Sequence, residues 1–153
     1  MLSMKAKYGL RALLYLAKHE GEGLVLISDL AEKENIPKKF LELILLDLKN
    51  HGILQSKKGK GGGYSLGRKP AAIKLGRVIR LLDGPLAPLP CVSQTAYAPC
   101  DECEDEKTCG IRLVMRDVRD AIANILDNTT LADVLQRVEA ASNNPYEALM
   151  YHI

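Results

Sequence analysis

Between Leu41 and Tyr64 the hydrophobic period of the chain changes, and few folds accept that change. In "KKFLELILLDLKNH" the residues Leu41, Ile44, Leu45 and Leu48 recur at helical spacing, which predicts a helix with one buried face. Pro37 fits the first turn of that helix, where a missing N–H costs nothing, and Gly52 supplies a left-handed stop. Beyond it, "ILQSKK" and "YSLGR" read as two short strands joined by "GKGGG".

Upstream, Leu10, Leu13, Leu14 and Ala17 lie at helical spacing within residues 4–18, and Gly21 and Gly23 end that helix. A short apolar run, "LVLI", leads to Ser28, which is expected to cap a brief helix, "SDLAEKEN". Asn35 and Ile36 make a turn before Pro37. Downstream, Leu75, Val78, Ile79 and Leu82 mark a short helix ended by Gly84, and Pro85, Pro88 and Pro90 stiffen the connector that follows. "IRLVMRDVRDAIANILDN" then places Ile111, Val114 or Met115, Val118, Ala121 or Ile122, and Ile125 about every 3.5 residues. Such a seam packs against a second helix, commonly from another subunit; docking on its own domain is the alternative. Thr130 caps a last helix carrying Leu131, Val134, Leu135 and Val138, and "SNNPYEALMYHI" reads as a tail.

The order helix, helix, turn, helix, hairpin is that of a winged helix-turn-helix. The expected fold class is mainly α with a small β-hairpin, a winged helix-turn-helix domain plus a long dimerisation helix. Residues 1–84 are expected to form a winged helix-turn-helix DNA-binding domain, 85–110 a cysteine-rich sensor loop, 111–142 the dimerisation helix and last helix, and 143–153 a C-terminal tail. Aromatic residues are only 5% of the chain and Trp is absent, so the core must be aliphatic, which suits helices. No apolar run approaches the roughly 18 residues of a membrane span. The basic, then apolar start is interrupted by Arg11, Lys18, His19 and Glu20, unlike a signal peptide. These features lead us to expect a soluble, cytoplasmic protein with reduced thiols and no disulfide framework.

The net charge of +2 hides an asymmetry. Residues 1–90 hold 16 Lys/Arg against 8 Asp/Glu, and residues 91–153 hold 5 against 11. A basic front points to a polyanion partner for the front alone. The second helix of the turn pair has the dimensions to enter a major groove. Lys38 and Lys39 stand at its N-terminal end, and Glu42, one turn on, suits a bond from a cytosine amino group. Lys57, Lys58 and Lys60 surround the hairpin tip, with Arg68 and Lys69 behind, as phosphate or minor-groove contacts. Gly61, Gly62 and Gly63 would let the wing backbone lie close to DNA. A nucleotide-binding P-loop is excluded, because a strand beginning at Tyr64 follows the glycines where that motif needs Gly-Lys-Ser/Thr and a helix.

All four cysteines, Cys91, Cys100, Cys103 and Cys109, fall within twenty residues. Thiolates on one irregular loop suit an iron–sulphur cluster. Zinc, a thiol–disulfide switch and inert cysteines are the alternatives. Only one C-x-x-C is present, whereas structural zinc sites usually show two such pairs. The carboxylates of "DECEDE" around Cys103 should raise its pKa and slow thiolate chemistry. His19, His51 and His152 lie in unrelated segments, so no Cys–His dyad is indicated and no enzyme activity is expected. A protein-binding adaptor with a winged fold is the rival to a DNA-binding protein.

"KAKYGLRALLYLA", "FLELILLDLKNHGIL", "LDNTTLADVL" and above all "KKGKGGGYSLGR" resemble the Rrf-type family of bacterial winged-helix transcription regulators. The resemblance spans roughly residues 1–138. It implies a homodimeric regulator that binds double-stranded DNA at a two-fold-symmetric operator. By position, Lys38, Lys39 and Glu42 would read the major groove, and Lys58 with Gly61, Gly62, Gly63 and Tyr64 would press into the minor groove. It further implies that Cys91, Cys103 and Cys109 ligate an iron–sulphur cluster, with 2Fe-2S the favoured type. Cys100 is an addition in a longer loop and a candidate fourth ligand. Arg112 stands where some relatives have a histidine ligand, and Tyr8 near where others supply a carboxylate.

Overall fold

The computed structural model of the protein describes residues 2–144. Helices α1 (Met4–Lys18), α2 (Ile27–Glu34) and α3 (Lys38–Asn50) lead into an antiparallel hairpin of β1 (Leu54–Lys57) and β2 (Gly63–Leu66). Helices α4 (Leu75–Asp83), α5 (Gly110–Asp127) and α6 (Leu131–Asn143) follow, with single 3-10 turns at Pro70–Ala72 and Pro90–Val92. The mainly α fold with one hairpin is therefore as expected. Most of the tail read from the sequence, residues 145–153 with His152, lies outside the described residues.

The apolar stripe of α3 is buried throughout, at Leu41, Ile44, Leu45 and Leu48. Each such side chain contributes about 1.5–3 kcal/mol by leaving water. The buried face of α1 is wider than its leucines alone indicate. Ala6, Gly9, Ala12, Leu13, Leu16 and Ala17 are buried, whereas Leu10 and Leu14 are only partly so. Small residues dominate this face because α4 lies close: a Cβ on Gly9 would stand 2.3 Å from Leu82 Cδ1.

The cap expected at Ser28 does not form. Helix α2 begins one residue earlier, at Ile27, after Leu26, and no side chain caps it. The cause lies just upstream. The Val25 N–H donates to the Tyr64 carbonyl at 2.9 Å, and the Tyr64 N–H donates back to Val25 at 2.8 Å. This bridge to the hairpin delivers the chain into the helix before Ser28. Asn35 makes the anticipated turn, in the left-handed region at φ 51. Pro37 is the residue before the first turn of α3 rather than within it, and its carbonyl accepts from Leu41 N at 2.9 Å.

Helix α6 returns to the N-terminal core, where Leu131 is fully buried. Thr130 caps it reciprocally with Asp133: the Asp133 N–H donates to Thr130 Oγ1 at 3.2 Å, and Thr130 N–H donates to Asp133 Oδ2 at 2.8 Å. Leu75 N–H to Thr129 O (2.9 Å) and Leu131 N–H to Ile73 O (3.0 Å) tie the α5–α6 junction to the start of α4.

One ion pair joins α4 to the end of α5. Arg80 donates to both Asp127 oxygens, at 2.6 and 2.9 Å, over Gly76, whose missing Cβ would stand 2.1 Å from Asp127 Oδ1. The Arg80 hydrogen bonds hold the Asp127 carboxyl below its ordinary 3.8. A depressed carboxyl stabilises the fold above its unfolded pKa, and that contribution disappears as pH falls through the folded value, here below 3.8. Both side chains are about a third or more exposed, so solvent screening keeps the pair modest. Asp127→Asn should lower stability by about 0.5–1 kcal/mol at neutral pH. Urea unfolding at pH 7 and pH 3 checks this, since the difference from wild type should shrink at the lower pH.

Candidate nucleic-acid interface and cysteine loop

Of the residues singled out for DNA on α3, Lys39 and Glu42 lie on its outer side and Lys38 is its first residue. Lys38, Lys39 and Glu42 are exposed. Among the described residues, none of them pairs with an oppositely charged side chain. The helix itself is held from several sides. Lys5 Nζ meets Asp47 Oδ2 at 2.8 Å, linking α1 to α3. At the C-terminal end of α3, Arg77 reaches the His51 carbonyl and Arg68 the Gly52 carbonyl, each at 3.4 Å. These cations complement the negative end of the helix dipole. Arg68, read from the sequence as a contact behind the wing, thus also ties the wing to α3.

The same face exposes two residues that the sequence reading passed over, Leu43 at 61% and Leu46 at 47%. A leucine in a helix is ordinarily assigned to the core. The available signal was phase: both fall between the charged positions and outside the 41–44–45–48 stripe.

In the wing, Lys57, Lys58 and Lys60 are exposed at the tip and, among the described residues, free of carboxylate partners. The three glycines differ in their reasons. Gly61 has φ +75 and open space around it. Gly62 is buried, and a Cβ there would lie 2.2 Å from the Lys57 carbonyl oxygen. A Cβ on Gly63 would lie 2.4 Å from Val25 O. Gly62 and Gly63 are thus required by the wing's own folding and by its pairing with Val25, whatever the wing approaches. Tyr64 is half-buried against the core, its backbone held by the same pairing.

The first residues of the cysteine loop are held against α5. Arg112 Nε donates to Cys91 O at 3.2 Å and Arg119 Nη1 to Val92 O at 2.6 Å, two turns apart on one helix. Tyr97 donates to Glu106, which also lies 3.9 Å from Arg112. Cys91 is buried, Cys103 and Cys109 are partly exposed, and Cys100 is exposed. The structure brings Cys103 and Cys109 together and leaves Cys100 near enough to act on Cys103. Burial raises the Cys103 pKa, and the neighbouring Cys109 and Cys100 raise it further. The direction is the one expected, but the cause is desolvation and sister thiols rather than the carboxylates of "DECEDE". Among the described residues, no three Cys, His, Asp or Glu side chains converge as a preformed metal site.

A helix-turn-helix with a hairpin wing, followed by a thiol-bearing loop that leads into a long helix, defines a class of transcription regulators. The profile of the Rrf2 family, described as iron-dependent transcriptional regulator, matches residues 2–137. An HTH-type regulator called rrf2-like from Rhodobacter capsulatus is 41% identical over 153 residues, covering 98% of this chain and 99% of the relative. CymR of Bacillus subtilis is 35% identical over 152 residues, with 99% of each chain covered. The solved structure of that CymR, titled the global cysteine regulator of B. subtilis, superposes with a TM-score of 0.74 at 34% identity, covering 90% of this chain and 97% of the other. T. potens IscR gives 0.72 at 33% identity, covering 92% and 90%. The chain belongs to the Rrf2 family of transcription regulators. These relatives and structural neighbours are regulators, not enzymes.

Gly62→Ala and Gly63→Ala should each cost about 1–3 kcal/mol, because the new methyl meets backbone that cannot move without opening the hairpin. Lys58→Ala, on the surface, should change stability by less than about 0.5 kcal/mol. Thermal unfolding of the three variants makes the comparison.

Proposed function

We propose that the protein is a homodimeric regulator that binds double-stranded DNA through α3 and the wing and senses its signal through an iron–sulphur cluster on the cysteine loop. The observation that carries the DNA half is the set of exposed Lys38, Lys39, Lys57, Lys58 and Lys60, unpaired among the described residues, on the helix and hairpin of a winged fold. Glu42 stands among them to discriminate bases, while the lysines supply phosphate contacts. Dimerisation is supported by α5, an 18-residue helix that exposes Ile111, Val114, Val118 and Ile125. A two-fold axis through that seam would present two such units to a symmetric operator.

The cluster reading rests on the donor set. The loop offers four thiols without a histidine, Cys109 and Cys100 each lie near enough to act on Cys103, and soft sulphur donors fit iron–sulphur chemistry. The description of the family as iron-dependent agrees with it. Cys91, Cys103 and Cys109 would hold the group, with Cys100 the candidate for the fourth position. A bound cluster supplies a redox-active, thiolate-held centre. The chain's own contribution is mechanical coupling. Arg112 and Arg119 fasten the first residues of the loop to α5, and Cys109 directly precedes that helix. A change among the thiols therefore acts at both attachments of the loop to α5, and through the Arg80–Asp127 pair at the join with the DNA-binding unit. The thiols imply a reducing compartment, which accords with a cytoplasmic location; among the described residues no helix is long and apolar enough to cross a membrane.

Two measurements test this. Operator affinity should fall steeply with salt, and Lys58→Ala should reduce the logarithmic slope by about 1, the value for one lost phosphate contact; an affinity indifferent to salt would overturn the DNA half. Anaerobically purified protein should show visible iron–sulphur absorption with iron and sulphide in stoichiometric amounts. Cys91→Ser, Cys103→Ser and Cys109→Ser should each abolish it, and Cys100→Ser decides the fourth ligand. Colourless, iron-free protein, with or without zinc, would overturn the cluster half and leave the DNA half standing.

A further inference from the structure

We propose that Leu43 and Leu46 are specificity-determining residues that read thymine methyl groups in the major groove. The inference rests on the DNA-binding reading of α3 and goes beyond it to the bases recognised. The two leucines are exposed on the outward face of α3. At 3.6 residues per turn, Lys39, Glu42, Leu43, Leu46 and Asn50 fall within an arc of about 100°. That arc lies opposite the buried Leu41, Ile44, Leu45 and Leu48. Neither leucine contributes to the core, although the helix has a complete buried stripe without them.

An exposed leucine pair inside a charged stripe needs an occupant that is both anionic and locally apolar. Lys38 and Lys39 at the start of the helix, unpaired among the described residues, favour an anion, as do the lysines of the adjoining wing. Within a DNA major groove the apolar group exposed on a base edge is the thymine C5-methyl. Glu42 and Leu46 are one turn apart and neighbours within that arc, with Leu43 at its far edge, so a hydrogen-bond acceptor for cytosine N4 and an apolar surface for thymine stand side by side. The leucines cannot bond a guanine or adenine edge, and they leave its acceptors unsatisfied where they exclude water. They therefore select for thymine by attraction and against purines by desolvation.

The test first selects duplexes from a random library with the wild-type protein. Each thymine of the selected site is then replaced singly by deoxyuridine, which removes the methyl and keeps the base pair. Wild type should lose affinity about fourfold at one or more positions, the factor for one buried methylene-sized group. Leu43→Ala or Leu46→Ala should abolish that penalty at its own position and leave the others intact. Both variants should stay folded, since the positions are exposed, with circular dichroism as the check. A selected site that tolerates deoxyuridine throughout overturns this inference and leaves the DNA reading intact, as does a penalty that persists in both variants. A change of oligomeric state in either variant also overturns it, since the leucines then face protein. Failure to select any DNA overturns the inference together with the reading beneath it.

Discussion

An 18-residue helix that buries no side chain fully and half-buries only Met115, Ile122, Ala123 and Leu126 among its apolar residues is a demanding element to maintain. Isolated helices of that length are marginal in water, and tertiary packing normally stabilises them. Helix α5 instead exposes Ile111, Leu113, Val114, Val118 and Ile125 while being fastened by polar contacts: Arg112 and Arg119 to the loop backbone, and Asp127 to Arg80. The one ion pair among them, Arg80–Asp127, is about a third or more exposed and is worth little. The apolar side of α5 therefore calls for a second surface, and in the proposed homodimer a copy of the same helix would satisfy it by symmetry. Everything downstream in the functional reading depends on that: the pairing of two wings, the symmetry of the operator, and the leverage of the cysteine loop at the start of α5.

The charge asymmetry of the chain takes a spatial form. Exposed Lys38, Lys39, Lys57, Lys58 and Lys60, without a carboxylate partner among the described residues, stand on α3 and the wing, whereas acidic residues crowd the cysteine loop. A polyanion is drawn to one part and repelled from the other. In the proposed binding mode, that would keep the cysteine loop clear of DNA while leaving it joined to the winged domain. Within the loop, the Tyr97–Glu106–Arg112 contacts order the chain around the thiols.

Much of the fold was legible because single residues carry strong local rules. The stripe of α3, the left-handed Gly52 and Asn35, the Thr130 cap and the hairpin strands each follow from chemistry within a few residues. What was not legible depended on contacts distant in sequence. Ser28 has the chemistry of a cap, yet Val25 pairing with Tyr64 starts α2 before it. Gly9 and Gly76 look like helix weaknesses until Leu82 and Asp127 stand against them. The wing glycines invited a DNA explanation, but Gly62 and Gly63 are shaped by Lys57 and Val25. Leu43 and Leu46 were hidden by their type. The cysteines were conspicuous in sequence, whereas the adjacency of Cys103 and Cys109 and the hold of Arg112 on Cys91 O emerge only in three dimensions.

The most direct measurement is the solution mass of the intact protein beside that of Val118→Asp, by sedimentation equilibrium at matched concentrations. Val118 is exposed in the single chain, so the variant can fold, but in a joined seam an unpaired carboxylate costs several kcal/mol. The expected result is twice the chain mass for the wild type and one chain mass for a folded variant, with operator affinity lost in step. A wild type at one chain mass, or a variant that keeps the doubled mass and the operator, would contradict the proposed seam and the symmetric mode of binding built on it.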